Sequence, residues 1–159
     1  MPHSASLLGL DERRAAQLTE DLNFLLANYQ IFYMATRSFH WNITGEKFFE
    51  LHAKFEELYT DALTKIDEIA ERILTLGATP LHTFTDYLKA ADINESRNIS
   101  EGREAVQKVV DALAMLIRIE RKVMNMAEEA GDEGTAALMS DYIREQEKSV
   151  WMYGAYLRG

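Results

Sequence analysis

The chain of 159 residues contains no cysteine, only two prolines and no long run of apolar residues. The absence of cysteine excludes disulfides, zinc–thiolate sites, iron–sulfur clusters and cysteine nucleophiles. Its longest apolar runs, such as 24–27, are far too short to cross a bilayer, and the N-terminus lacks the charged start and apolar stretch of a signal peptide. Together these absences predict a cytoplasmic protein with no membrane segment.

The charge balance is acidic. The chain has 26 acidic and 17 basic side chains, a formal net charge of −9 and a pI near 4.9. An acidic surface attracts cations and repels the phosphates of nucleic acids.

Apolar residues recur every three or four positions in four long segments, which predicts four helices over about 11–42, 46–76, 101–130 and 135–157. The connection between the second and third segments is long, contains Pro80 and carries a predicted short helix over 83–88. This order predicts an all-α, ferritin-like four-helix bundle with one long crossover. The length predicts a single domain over 1–159, with about 1–10 as a flexible N-terminal tail.

The chain has four histidines, His3, His40, His52 and His82. Di-iron bundles that bind metal within one chain use Glu-x-x-His motifs, but no histidine of this chain follows a glutamate at that spacing. The sequence therefore predicts no such site inside the bundle. We expect His3 to lie in the tail and His82 on the surface, both away from any metal.

A different set of potential ligands lies on the second predicted helix. His52 and Glu56 are four residues apart, as are Asp67 and Glu71, and all four fall within a stripe roughly 100° wide. The 15 residues from His52 to Asp67 span about 22 Å of straight helix, whereas metal–ligand bonds are about 2 Å long. One copy of the helix therefore cannot close both pairs around one metal.

Two antiparallel copies of this helix can close the site. The midpoint of 52 and 71 equals that of 56 and 67, so a two-fold axis near Asp61 would place His52 opposite the partner's Glu71 and Glu56 opposite the partner's Asp67. His40, at the end of the first helix, is expected to reach the same place. Imidazole and carboxylate ligands suit iron(II), with zinc and manganese as competitors.

An alternative is that each of these acids is an ordinary solvated surface residue and that His52 is an ordinary helix residue. That alternative requires the joint spacing of the five side chains to be coincidental.

The stretches 39–43, 55–59 and 66–72, together with His52, resemble the Dps family of mini-ferritins, the DNA-binding proteins from starved cells. The matching pattern is His-x11-His-x3-acid-x10-Asp-x3-Glu, and the likeness extends over nearly the whole chain. The resemblance implies a hollow dodecamer that oxidises iron(II), preferably with hydrogen peroxide rather than oxygen, and stores ferric mineral. It also implies ferroxidase centres at two-fold interfaces, where His40 and His52 of one subunit meet Asp67 and Glu71 of the other.

The resemblance leaves the roles of several residues open. Glu56 falls where many relatives have aspartate, and it could bind iron directly, through water, or not at all. Trp41, beside His40, is a possible redox-active neighbour, although interface packing is the interpretation we favour. Pores in the family lie near the start of the fourth helix, and the candidates to line them are the acidic residues Asp132, Asp141 and Glu145. The alternative for these acids is an ordinary acidic helix start.

DNA binding is where the sequence departs from the family. Relatives that bind DNA often use a lysine-rich terminus, whereas the first thirty residues of this chain contain no lysine, only Arg13 and Arg14, and the C-terminus offers only Arg158. Twelve copies at −9 each would carry −108. We therefore expect weak or no DNA binding. A DNA-coating protein with secondary iron oxidation is the second hypothesis, and a helical interaction module without metal chemistry is the third.

Overall fold

The computed structural model of the protein describes residues 4–159, and all regular structure in that range is helical. The helices are α1 Ser4–Leu7, α2 Glu12–Asn42, α3 Phe48–Thr75, α4 Phe84–Ala90, α5 Gly102–Glu129 and α6 Glu133–Arg158. The four long helices and the short helix in the crossover are confirmed, with ends within about two residues of the predicted ones. Within 4–159, no helix is both long and apolar enough to cross a bilayer.

The expected N-terminal tail, about 1–10, includes one helical turn over Ser4–Leu7. Ala5 in that turn is 2% exposed. The turn packs beside Gly77, which follows the end of α3 and has a positive φ of 93°. A helix of four residues is too short to show apolar periodicity, which explains why the pattern did not reveal it. His3 lies outside the described residues.

Two helix pairs build the bundle. Helix α2 packs along α3, α5 packs along α6, and contacts between α2 and α5 join the two pairs, while α4 lies against α2. The largest fully buried side chains include Tyr29, Phe39 and Phe55. A cavity of about 430 Å³ lies between α3 and α6, with Phe32 and Leu113 among its lining residues. The bundle is therefore less tightly packed between α3 and α6 than between its other neighbouring long helices.

The end of α3 is fixed to the start of α6 by an ion pair. Asp132 caps α6 by accepting from the Thr135 backbone N–H at 3.0 Å and from the Thr135 hydroxyl at 2.5 Å. The same carboxylate is 3% exposed and accepts from the Arg72 guanidinium at 2.6 Å. Arg72 also donates through Nε to the Thr135 hydroxyl at 2.8 Å. Its guanidinium lies over Gly134, and a β-carbon at that position would come within 3.0–3.2 Å of the guanidinium.

A polar network lies buried where α2, α5 and α6 meet. The Tyr29 hydroxyl donates to Glu120 Oε2 at 2.6 Å, and the Gln146 amide donates to the same oxygen at 3.0 Å and to the Tyr29 hydroxyl. Glu120 is fully buried, and its Oε1 has no hydrogen-bond partner among residues 4–159. Burial raises the pKa of Glu120 to about 7, although the Tyr29 and Gln146 hydrogen bonds and the charge of Lys65 act in the opposite direction.

The raised pKa of Glu120 predicts a pH-dependent stability. The folded state holds this proton more tightly than the unfolded chain, so the stabilisation is complete below about pH 4.5 and is lost as the pH rises to about 7. The loss is on the order of 3 kcal/mol. We expect Glu120→Gln to flatten the pH dependence of the unfolding free energy, measured by urea denaturation between pH 5 and 8. Glu128→Gln, at an exposed position of the same helix, is the control, and an unchanged slope in Glu120→Gln would contradict this account.

The buried ion pair at the α6 start predicts unequal effects at two aspartates. Asp132→Ala removes a cap and leaves the Arg72 guanidinium unpaired, so we expect a loss on the order of 3 kcal/mol in unfolding free energy. Asp141→Ala removes an exposed ion pair with Arg144 at 3.0 Å and should cost less than about 1 kcal/mol. Urea denaturation at one protein concentration measures both variants, and equal losses would show that Asp132 has no special structural role.

Candidate metal centre

His40 and His52 lie side by side where α2 ends and α3 begins. Nδ1 of His40 is 2.7 Å from the backbone oxygen of His52, and Nδ1 of His52 is 2.7 Å from the backbone oxygen of His40. The two rings stack with centroids 3.8 Å apart and an interplanar angle of 17°. Each histidine is therefore held by the main chain of the other.

This reciprocal contact determines the tautomer of both rings. A backbone carbonyl can only accept, so each Nδ1 must carry the proton and donate it. In the neutral ring the lone pair then resides on Nε2. Histidines that bind metals commonly donate their second N–H to a carbonyl in this way, which fixes the ring orientation. Nε2 is consequently the nitrogen of each neutral ring that can bind a metal ion.

Local structure explains why the carbonyl of His40 is free to accept. The N–H that would bond to it in a continuing helix belongs to Thr44, which instead donates to the Ser100 carbonyl at 3.0 Å. The rings are also packed from outside the pair. Phe48 stacks on His52 with centroids 5.0 Å apart, and Tyr59 meets the edge of His40 at 5.3 Å.

The carboxylates of Glu56, Asp67 and Glu71 lie on exposed positions of α3. Within residues 4–159, none of these three side chains has a hydrogen-bond or ion-pair partner in the subunit. Helix α3 is continuous from Phe48 to Thr75, so the separation of about 22 Å between His52 and Asp67 applies to the folded chain. The described part of one chain places no three His, Cys, Asp or Glu side chains where they could hold a metal ion together.

Exposed apolar side chains surround the predicted two-fold face. Leu63 and Leu74 lie on the same helical stripe as Asp67 and Glu71 and are 52% and 56% exposed. Trp41, beside His40, is 57% exposed. Exposed apolar groups clustered in this way are typical of protein–protein contact surfaces.

Trp41 also packs against a cation within the subunit. The Arg37 guanidinium carbon lies 5.1 Å from the Trp41 ring centroid and 5.5 Å from that of Tyr59. Arg37 also donates to the Tyr33 hydroxyl at 2.6 Å. This contact lies within one subunit, and both the redox role and the interface packing of Trp41 stay predictions.

The three pore candidates have different environments. Asp132 is buried in the cap and ion pair described above, which favours the ordinary helix start for this residue. Asp141 is exposed and paired with Arg144, whereas Glu145 is paired with Lys65 at 2.8 Å. Pore lining by these acids stays a prediction. His82 is exposed beside α4, with Nδ1 2.9 Å from the Pro80 oxygen.

Sequence reasoning missed three inward ionisable residues: Lys65 and Glu120, which are buried, and Arg72, which is partly buried. Each occupies a position on the inward side of an amphipathic helix, where the pattern expects an apolar residue. Their interruption of the apolar stripe was the available signal, but the pattern does not show which side chains from other helices meet them.

Residues 19–159 match the family model of the ferritin-like domain. A DNA protection during starvation protein from Porphyromonas gingivalis is 43% identical over 148 residues, which cover 93% of each chain. The structure resembles the crystal structure of the Dps protein from Vibrio cholerae O1, described as a member of the ferritin-like diiron-carboxylate superfamily, with a TM-score of 0.95 and 57% identity over 99% of each chain.

A Listeria innocua Dps structure is also similar, with a TM-score of 0.86 and 26% identity over 89% of this chain and 95% of that one. It is a mutant in which two histidines twelve residues apart were replaced by glycine. His40 and His52 are separated by the same number of residues. The all-helical fold, the family model and these relatives agree, and the chain belongs to the Dps family of ferritin-like proteins.

Proposed function

We propose that the chain is the subunit of a ferroxidase and iron-storage protein, assembled as a hollow dodecamer, with oxidation centres shared between two copies. His40, His52 and Glu56 of one subunit would face Asp67 and Glu71 of its partner. The observation that carries this proposal is the reciprocal contact between His40 of α2 and His52 of α3, which leaves Nε2 of each ring as the nitrogen available to a metal. The carboxylate pair of α3 begins about 22 Å from His52. A site built from both pairs therefore requires a second chain.

The ligand types support iron(II) as the substrate. Neutral imidazoles bind borderline divalent ions, and carboxylates favour the higher charge of iron(III), so the mixed set promotes loss of an electron. Two iron(II) ions can supply both electrons that one hydrogen peroxide needs to form two water molecules with two protons. Pairing the irons thus avoids the one-electron step that releases hydroxyl radical. Zinc would bind as an inert substitute because it has no redox chemistry.

The central prediction is complementation between two inactive variants. His52→Ala removes a ligand from one side of the centre, and the double variant Asp67→Ala/Glu71→Ala removes the other side, so we expect each assembly alone to lose the fast phase of iron(II) oxidation. In shells assembled from an equal mixture, half of the two-fold pairs are mixed, and each mixed pair contains one intact centre of two. We therefore expect about a quarter of the wild-type rate. The rate is measured from the ferric absorbance that develops after peroxide is added to the protein with anaerobic iron(II).

Two controls make this result specific. Shells of the two variants that are assembled separately and then combined should stay inactive, and Glu50→Ala, an exposed acid elsewhere on α3, should retain the rate. Intact mixed shells that show no recovery would rule out a shared centre.

DNA coating is the second candidate function, suggested by the names of relatives such as the Porphyromonas gingivalis protein. The charge of this chain opposes it, because each copy carries −9 and the first thirty residues contain no lysine. We propose that the assembly binds DNA weakly or not at all at physiological salt. An electrophoretic gel shift at moderate salt without added magnesium should show free DNA, and a tight complex there would overturn this proposal.

A further inference from the structure

A lysine side chain is buried where α3 faces α6. Lys65 is 3% exposed. Its ammonium donates to Asp61 Oδ2 at 2.6 Å and to Glu145 Oε2 at 2.8 Å, and it lies 5.1 Å from the ring centroid of Tyr142. The ammonium is therefore paired with two carboxylates and lies beside an aromatic ring in a position closed to solvent.

Two further acidic residues lie near this ammonium, beyond the two carboxylates that contact it. The Tyr142 hydroxyl donates to Glu68 at 3.1 Å, and the buried Glu120 of α5 is close enough for the charge of Lys65 to lower its pKa. Within residues 4–159, Glu120 Oε1 has no hydrogen-bond partner. The space between α3 and α6 thus has acidic groups from three helices around a buried lysine.

We propose that the Lys65 ammonium is a built-in substitute for a metal ion and keeps di- and trivalent cations out of the bundle interior. Bundle proteins that bind metal within one chain place it among inward carboxylates of facing helices. The oxygens of Asp61 and Glu145 lie 2.6 and 2.8 Å from Nζ, at and just above the upper end of the 2.3–2.6 Å range of calcium–oxygen bonds. A hard cation of that size would fit the same position after a small inward shift of the two side chains.

The position is accessible to ions. Asp61 and Glu145 have side chains that are 57% and 54% exposed, and both line the cavity of about 430 Å³ between α3 and α6. Without the ammonium, two neighbouring carboxylates would repel each other and attract a cation from this cavity. Lys65 therefore determines which ions the bundle accepts, and this role does not depend on the proposed ferroxidase centre.

The test is metal binding to assembled Lys65→Met, in a background of Asp67→Asn/Glu71→Gln that silences the proposed shared centre. Terbium(III) is the probe, because a nearby tyrosine sensitises its luminescence and Tyr142 lies beside the site. We expect Lys65→Met to bind one more terbium ion per chain than its parent, with tyrosine-sensitised emission and a higher thermal midpoint in the presence of the ion. Lys65→Arg keeps the charge and should show no gain.

Adding Glu145→Gln to Lys65→Met removes one of the two carboxylates and should abolish the extra ion, which distinguishes this position from other acidic surfaces. If Lys65→Met does not fold alone, Lys65→Gln is the second variant, because its amide can still donate to one carboxylate. Folding of either variant only when terbium is present would support the proposal. Equal ion counts in Lys65→Met and its parent, or failure of both variants to fold even with terbium, would overturn it. Counting the bound terbium ions again in chains with Asp67 and Glu71 intact reports on the shared centre separately.

Discussion

A continuous helix separates the two candidate ligand pairs of each subunit. Because α3 runs without a break from Phe48 to Thr75, His52 and Asp67 lie about 22 Å apart and no side-chain rotation can bring them to one ion. The antiparallel symmetry of the two pairs about the middle of this helix then favours a site made by two chains. Assembly, in this account, is a condition for the chemistry and not an addition to it.

The subunit holds α3 in place by polar contacts at both ends. At its start, His52 exchanges hydrogen bonds with His40 of α2, and toward its end Lys65 and Arg72 form ion pairs with Glu145 and Asp132. The contacts of Lys65 and Arg72 lie on the side of α3 that faces the subunit. The stripe with Asp67 and Glu71 faces away from the subunit, and the exposed Leu63 and Leu74 lie on the same stripe. A second copy of the chain can contact it there.

Much of the fold could be predicted from the sequence, because long amphipathic helices show their period over many turns. The helix Ser4–Leu7 could not, since one turn has no period to detect. For the site, helical spacing alone predicts that Asp67 and Glu71 need a second chain if they bind the same metal as His52. The pairing of His52 Nδ1 with the His40 carbonyl depends on Thr44, whose N–H donates to Ser100 and does not continue the helix, and no local pattern reveals this. Likewise, Asp132 has the sequence features of a pore acid or a helix cap, and only the structure shows its bond from the Thr135 N–H and its ion pair with Arg72.

Anomalous diffraction from crystals of the assembled protein, grown without oxygen and soaked with iron(II), tests the shared centre most directly. The account predicts an iron peak bonded to Nε2 of His40 and His52 of one subunit and to carboxylate oxygens of Asp67 and Glu71 of its two-fold partner. Iron bound by ligands of a single chain, or histidines that coordinate through Nδ1, would contradict it.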